Sequence, residues 1–174
     1  MIEEMYDMIF KRKSFRRFNA ALHLSNDELQ CIHEKLKRLK PLVDDIEVKC
    51  KLVPIEQTTS KRGEYCLLIY SEEKEHYLQN AGYLFEQLDL YLASKNIGMC
   101  WYGMGKTEVA SLDGLKFVIM LALGKGIEGE FRKDYTKAKR KDTKDIWPGD
   151  LISKVAEVVK YAPSSCNTQP WRVG

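Results

Sequence analysis

Positive charge is gathered in two short runs of the sequence. Residues 11–17 carry five basic side chains and no acidic ones, and residues 132–144 carry seven basic side chains against two acidic ones. Set against the formal net charge of +3, these runs leave the rest of the 174-residue chain at −7. Ser14 and Thr136 place hydroxyl groups inside the runs. Either run alone is typical of a solvated surface. Two runs that combine arginine guanidinium groups with hydroxyls favour an anion-binding site.

Two glycine-containing segments have only part of a nucleotide-binding motif. Gly124, Gly126 and Gly129 have the spacing of the dinucleotide fingerprint, but the residues after them lack the apolar face of the helix that this motif opens. We interpret these glycines as a flexible turn. Residues 103–107 end like a P-loop, but position 100, where the first glycine of that motif belongs, is a cysteine. Neither segment therefore predicts a Rossmann or nucleotide-hydrolase site.

The cysteines and histidines lack the spacing of a disulfide framework or a metal site. The five cysteines lie far apart and include no C-x-x-C pair, which is typical of reduced thiols in the cytoplasm. The three histidines have no metal-ligand spacing, so no metal is expected. Every apolar run is shorter than a membrane span, and residues 1–5 are acidic where a signal peptide is basic. We therefore expect a cytoplasmic protein with no membrane partner.

Helices of amphipathic pattern must position the basic runs. Apolar residues at helical spacing predict a first helix that ends near Lys13 and a long helix over about 74–96, capped by Gly98. Ser25 and Glu28 form a capping box, which predicts the start of a further helix that ends before a proline at position 41.

Three strands and a last helix complete the predicted α+β fold, a central sheet with helices packed on it. Alternating apolar and charged residues over 46–52 predict a half-buried strand, and continuous apolar runs over 65–70 and 116–123 predict strands buried on both faces. Residues after 164 have the pattern of the beginning of a strand. The last helix is predicted to be capped by Asp150 and to turn four apolar side chains inward, namely Leu151, Val155, Val158 and Val159.

Three segments together resemble motifs of the FMN-dependent nitroreductase family. Residues 12–18, Arg-Lys-Ser-Phe-Arg-Arg-Phe, are similar to its R-R-S-x-R-x-F motif, and residues 162–171, Ala-Pro-Ser-Ser-Cys-Asn-Thr-Gln-Pro-Trp, to its A-P-S-x-x-N-x-Q-P-W motif. Between them, residues 98–103 are similar to the family's G-x-x-x-x-G segment. The resemblance covers nearly the whole chain. It implies a mostly antiparallel sheet flanked by helices, in a single FMN-binding domain over residues 1–174.

The resemblance also implies the residues of the FMN site. Basic and hydroxyl groups would hold the flavin phosphate, and the C-terminal motif would lie along the ring, with the backbone at Gly103 approaching its reactive side. Lys13 stands where arginine is usual, so a bidentate contact becomes a point charge. The implied phosphate residues are Arg12, Lys13, Ser14, Arg16, Lys139, Arg140 and Lys141. The implied ring-side residues are Trp101, Tyr102, Gly103, Pro163, Ser164, Ser165, Asn167 and Gln169.

The order of the motifs resembles a two-halved branch of the family. In most members the Pro-Ser…Asn…Gln-Pro-Trp motif follows the first motif within a few tens of residues, whereas here it closes the chain. In that branch one longer chain imitates the usual dimer. The resemblance therefore implies that this chain is short at its C-terminus relative to the branch, and that a homodimer supplies the missing wall of the flavin site.

The implied function is that of an FMN-dependent oxidoreductase. It would pass electrons from NADH or NADPH to a nitroaromatic, a quinone or a similar small acceptor, and the flavin would carry the hydride chemistry without a protein acid–base group. One alternative is a flavin-binding protein without efficient turnover. Another, favoured by charge alone, is nucleic-acid binding through the two basic runs. The acidic remainder of the chain and the absence of a nucleic-acid-binding motif in the sequence argue against it.

Overall fold

Antiparallel strands form the central sheet of the computed structural model, which describes residues 2–127, 130–147 and 153–172. The strands pair in the order β1-β2-β5-β3, with β4 attached to β5, and each of these pairs is antiparallel. The strands are β1 (Val48–Pro54), β2 (Tyr65–Ser71), β3 (Ile97–Tyr102), β4 (Ser111–Leu112) and β5 (Leu115–Lys125). The helices are α1 (Ile2–Lys11), α2 (Asn26–Leu36), α3 (Tyr77–Ser94), α4 (Thr143–Ile146) and α5 (Ser153–Val159). This confirms the predicted α+β class.

The larger buried apolar cluster lies between α3 and the two central strands, and a smaller one is formed mainly by the alternate residues of those strands. Residues 66–71 of β2 are all buried, because β1 and β5 flank this strand and side chains cover both of its faces. The inner face of α3, centred on Leu88 and Leu92, packs against Leu67, Ile69 and the facing residues of β5. The prediction of a doubly buried strand at 65–70 is therefore confirmed.

The first basic run lies beside β3, and Phe15 anchors it there. Ser14 forms a parallel bridge with Met99, and the Phe15 amide donates to the Met99 carbonyl at 2.9 Å. The Phe15 ring is 1% exposed and lies against Gly98 and Gly126. A Cβ atom added at either glycine would come within 2.1 Å of the ring. Both positions therefore have to be glycine for the ring to occupy this place.

Several predicted helix boundaries and turns are wrong. Helix α1 ends at Lys11, two residues before the predicted end, and residues 12 and 13 have no regular secondary structure. Helix α3 ends at Ser94, and Asn96, with a φ of 57°, takes the left-handed conformation that we assigned to a glycine cap. Gly98 instead lies inside β3. Gly124 lies within β5 rather than in a turn, because the ladder with β3 continues through it.

The capping box of α2 is confirmed. Ser25 Oγ accepts from the Glu28 amide at 3.2 Å, and Glu28 Oε2 accepts from the Ser25 amide at 2.9 Å. The helix ends at Leu36, several residues before Pro41.

The last helix and the C-terminal segment differ from the prediction in two ways. Val155 is 46% exposed, whereas its neighbour Ala156 is buried. The strand predicted at the end of the chain is absent from residues 163–172, which contain a short 3-10 helix at Ser165–Asn167, and residues 173 and 174 lie outside the described residues. The predicted cap Asp150 and the inward-facing Leu151 lie outside the described residues.

All five cysteines are free thiols, of which Cys31 and Cys166 are exposed. In the described ranges, none of the helices has both the length and the apolar character needed to cross a bilayer.

Candidate functional site

Arg12, which follows directly after α1, has its guanidinium group buried against α3. Its Nε donates to Asp89 Oδ2 at 2.6 Å and lies 3.7 Å from Glu86 Oε1. Trp101 Nε1 donates to the same Asp89 oxygen at 3.1 Å. The side chains of Arg12 and Asp89 are each 3% exposed. One buried carboxylate oxygen therefore joins the first basic run, α3 and β3.

Two carboxyl groups oppose the single charge of Arg12. Burial raises the pKa of Glu86 to about 8, against the attraction of Arg12 and with added repulsion from Asp89. Burial also raises the pKa of Asp89. Although burial alone would lower the pKa of Arg12, the attraction of Asp89 and Glu86 outweighs it and raises that pKa. The short contact identifies Arg12 and Asp89 as the ion pair, and the raised pKa of Glu86 favours its protonated form near neutral pH.

Three arginines carry buried N–H groups that have no partner. Arg12 Nη2, Arg132 Nη1 and Arg140 Nε are three of the six buried side-chain polar atoms without a hydrogen bond in the described parts of the chain. The guanidinium carbons of Arg132 and Arg140 lie 5.5 and 5.9 Å from the centroid of the same Tyr161 ring. The Arg132 amide also donates to the Lys11 carbonyl, which ties the second basic run to the end of α1. We call Arg12, Arg132 and Arg140 the arginine cluster.

The arginine cluster is electrostatically strained. Burial, repulsion by Arg140 and repulsion by Arg12 lower the pKa of Arg132 to about 10. Burial and repulsion by Arg12 likewise lower the pKa of Arg140. Buried donors normally have partners, and a bound anion would both fill these donors and offset the repulsion.

The C-terminal motif folds back onto residues 139–141. Asn167 Oδ1 accepts from Arg140 Nη1, and Asn167 Nδ2 donates to the Lys139 carbonyl at 3.0 Å. Gln169 Oε1 accepts from the Lys141 amide at 2.8 Å. The structure therefore brings the C-terminal motif and the second basic run together at the arginine cluster.

Three residues of the turn in the C-terminal motif have left-handed backbone conformations. Cys166, Asn167 and Gln169 have φ values of 51°, 57° and 50°. Such values are uncommon for residues other than glycine and are maintained by surrounding contacts. Ser164 supplies one, because its Oγ accepts from the Gln169 amide at 3.0 Å. Pro163 is half-buried and Ser165 is exposed at the same turn.

A second group of candidate residues lies along β3. Ser14 Oγ lies 3.7 Å from Cys100 Sγ, and Arg62 Nη1 lies 3.8 Å from the same sulfur. The Arg62 guanidinium also lies 5.4 Å from the centroid of the Tyr102 ring. Arg62 and Arg16 both line a cavity of about 500 Å³.

The cavity is positively charged and partly apolar. Arg16 and Lys61 line it without an ion-pair partner among the described residues, and Phe18 and Ile55 supply apolar wall. Arg17 and Lys125 also reach it, but Arg17 pairs with Glu130 and Lys125 with Glu28. Ligand pockets commonly have this size and mixture of surfaces.

Lys13 and Gly103 belong neither to the arginine cluster nor to the lining of the cavity. Lys13 lies 3.5 Å from Glu130 and is 48% exposed. Gly103 is exposed, and a Cβ there would meet no atom within 4 Å. In the described ranges, no hydrogen bond or ring contact joins Tyr102 or Gly103 to residues 163–169. Whether the individual residues hold a flavin stays a prediction.

Sequence reasoning missed several residues that build these groups. Arg132 belongs to the second basic run but falls outside the matched motif. Glu86 and Asp89 stand three residues apart on α3, next to its mostly apolar buried face, and a buried acid such as Asp89 on such a face is rare unless paired. This spacing is the signal that could have found them. Arg62 lies in a polar loop that carries no such signal.

The family model described as "Putative TM nitroreductase" matches residues 4–174. The chain belongs to this nitroreductase family. No curated protein matches the chain. Among solved structures, the nitroreductase-family chain is similar to a protein of Thermotoga maritima described as a "putative nitroreductase", with a TM-score of 0.69 and 21% identity over 97% of this chain and 70% of that one.

Two further solved structures show the same fold in this nitroreductase-family chain. A nitroreductase with bound FMN from Desulfitobacterium hafniense matches with a TM-score of 0.60 and 14% identity, over 82% of this chain and 100% of the other. A "Putative NADH dehydrogenase/NAD(P)H nitroreductase" from Bacteroides thetaiotaomicron matches with a TM-score of 0.60 and 13% identity, over 82% and 95% of the two chains.

Proposed function

We propose that this chain is an FMN-dependent oxidoreductase that passes electrons from NADH or NADPH to a nitroaromatic, a quinone or a similar small acceptor. The observation that carries the proposal is the arginine cluster, in which Arg12, Arg132 and Arg140 hold buried, unpartnered N–H groups. A phosphate monoester has about two negative charges near neutral pH and several acceptor oxygens. It therefore matches both the charge and the free donors of the cluster.

The two groups of residues suit one elongated ligand. Arg12 belongs to the arginine cluster and Arg16 to the cavity, and four residues of extended chain span at most about 14 Å. The cluster would hold the phosphate of FMN. Arg16, which the resemblance implied at the phosphate, lines the cavity and would instead face the polar edge of the ring together with Arg62. Membership of the nitroreductase family supports this assignment, as does the FMN bound to the D. hafniense relative.

Bound FMN supplies the hydride chemistry. The protein's own residues would bind and orient it, with guanidinium groups at the phosphate and the Trp101 ring fixed in place by Asp89. Gly103 would let a reactant approach closely, because no side chain occupies the open space beside its Cα atom. The name of the B. thetaiotaomicron relative supports NADH or NADPH as the donor.

A homodimer would complete the site. The rim of the site, at the residues that follow β3, is open: Gly103 is exposed, and Met104 is 86% exposed. The Asn167 and Gln169 side chains are bonded to the basic residues 139–141 of their own chain. We therefore propose that a second copy covers the open rim, and analytical ultracentrifugation at micromolar concentration should show twice the 20.2 kDa chain mass. A monomer that binds one FMN per chain would contradict the proposed dimer but not the proposed flavin site.

The colour of the protein, its bleaching by a donor and the FMN affinity of two variants test the flavin proposal. Purified protein, or protein incubated with FMN, should be yellow, and NADH or NADPH should bleach it anaerobically. Arg132→Gln should weaken the binding of FMN, but Lys133→Gln, the exposed neighbour, should not. Protein that stays colourless with excess FMN overturns the proposal. Yellow protein that neither donor bleaches is instead a flavin-binding protein without turnover.

The contacts of the first basic run weaken the nucleic-acid hypothesis. Arg12 is buried against Asp89, and Lys13 and Arg17 both pair with Glu130. A nucleic-acid surface needs exposed cations in a row along the phosphate backbone.

A further inference from the structure

We infer that Asp89 is a positioning residue of the proposed flavin site, acting through Arg12 and Trp101; this inference rests on the proposed function. Its Oδ2 accepts from Arg12 Nε at 2.6 Å and from Trp101 Nε1 at 3.1 Å. The two donors lie 77 and 12 residues away in sequence. A single atom therefore sets the place of a phosphate-side cation and of a ring-side aromatic residue.

The contact to Nε leaves the outer part of the Arg12 guanidinium available. Because the group is planar, fixing Nε against Asp89 also fixes the direction of its Nη atoms. Nη2 is buried and has no partner, and Arg12 is close enough to Arg132 and Arg140 to lower the pKa of each. Asp89 thus holds one donor of the cluster in place before an anion arrives, which reduces the ordering cost of binding.

Glu86 makes a longer contact with Arg12 than Asp89 does. Its nearer oxygen is 3.7 Å from Arg12 Nε, beyond hydrogen-bond distance, and its Oε2 has no partner. The Asp89 side chain is 3% exposed, whereas that of Glu86 is 27% exposed. A buried carboxylate adds little net stability to a core even when paired, which leaves positioning as its use here.

The test compares FMN with riboflavin, which has the same ring and lacks the phosphate. Asp89→Asn keeps the shape of the side chain and removes its charge. We expect this variant to bind FMN roughly tenfold more weakly, a value in the middle of the range for residues coupled in one network. It should bind riboflavin as the wild type does, because the amide oxygen of asparagine can still accept from Trp101 Nε1. A general structural defect would weaken both ligands equally. In an Arg12→Gln background the added Asp89→Asn change should have no further effect on FMN.

Asn80→Ala is the matched control. Asn80 is also buried on α3, and its Oδ1 accepts from the Leu42 and Val43 amides, away from the arginine cluster. This variant should lower the melting temperature and leave the preference for FMN over riboflavin unchanged.

The outcomes separate the inference from the proposed function. If the wild type does not prefer FMN to riboflavin, the proposed function has failed at its phosphate site. If the wild type prefers FMN and Asp89→Asn loses both ligands equally, or neither, the positioning role is overturned and the proposed function stands. Should Asp89→Asn fail to fold, Asp89→Glu moves the carboxylate by one methylene, and we expect it to weaken FMN binding more than riboflavin binding.

Discussion

Replacing Gly98 with alanine perturbs the contact that holds the first basic run against β3. The new Cβ would lie 2.1 Å from Phe15 Cδ1 and 2.5 Å from Cε1 and Cγ. Carbon atoms normally approach to about 3.5 Å, so the ring would have to move by roughly 1.4 Å. It cannot move towards Gly126, where a Cβ would already lie 2.1 Å from Phe15 Cε1. The ring must therefore leave its site, or the backbone of the run must shift.

The cost follows from these two alternatives. Overpacking that the backbone absorbs costs about 1–3 kcal/mol, and loss of a buried phenylalanine about 3–5 kcal/mol. Because Phe15 is 1% exposed and confined on two sides, we expect about 3 kcal/mol. A domain of ordinary stability, about 5–15 kcal/mol, would still fold. Since Ser14 and Arg16 flank Phe15, the binding of FMN should weaken as well.

Urea unfolding and FMN titration measure the two effects, and Gly82→Ala is the control. Gly82 lies within α3, and a Cβ added there would meet no atom within 4 Å, so alanine should raise the free energy of unfolding by about 1 kcal/mol through helix propensity. Loss of less than 1 kcal/mol in Gly98→Ala, with unchanged FMN affinity, would refute the anchoring role of Phe15. Relief of the defect by Phe15→Leu would support it.

Further predictions concern an acid, a glycine and the thiols. The free energy of unfolding should fall as pH rises from 4.5 to about 8, because the raised pKa of Glu86 makes the folded state bind more protons than the unfolded state in this window. Glu86→Gln should flatten that fall in urea titrations, and an identical slope would contradict the assignment. Gly103→Ala should leave the urea midpoint unchanged, because its methyl meets open space, but should slow anaerobic flavin reduction by NADPH; an unchanged rate would exclude close approach there. Ellman's reagent should modify exposed Cys31 and Cys166 first, whereas half-buried Cys50, with its pKa raised by desolvation to about 11, should react after unfolding; early reaction of Cys50 would contradict the raised pKa of its thiol.

Local pattern was sufficient to predict most of the fold. Ser25 and Glu28 stand three residues apart, and their reciprocal bonds need only one helical turn to form. The apolar run over 65–70 predicted a buried strand because a segment without a polar face has to be covered on both sides. Gly98 was misassigned because a glycine after a helix is typical of a cap, and no local feature shows that Phe15 occupies the space beside it.

The candidate site was predicted only in part. The basic runs and the motif residues were evident from residue type and spacing, and the structure places Arg140, Asn167 and Gln169 together. Their partners were not evident. A sequence shows that Asn167 has an amide, but not that the chain turns through left-handed backbone and uses that amide on Arg140.

The sequence by itself determined the class of the fold and the location of the cations, because periodicity and charge are properties of neighbouring residues, and its motifs resemble those of the nitroreductase family. Only the tertiary structure decided which of those cations keep free donors. Arg12 meets Asp89 across 77 residues, and Lys13, its neighbour, pairs with Glu130 instead. The direction of a side chain and the charge facing it depend on how distant segments pack, and packing is settled by the whole chain at once.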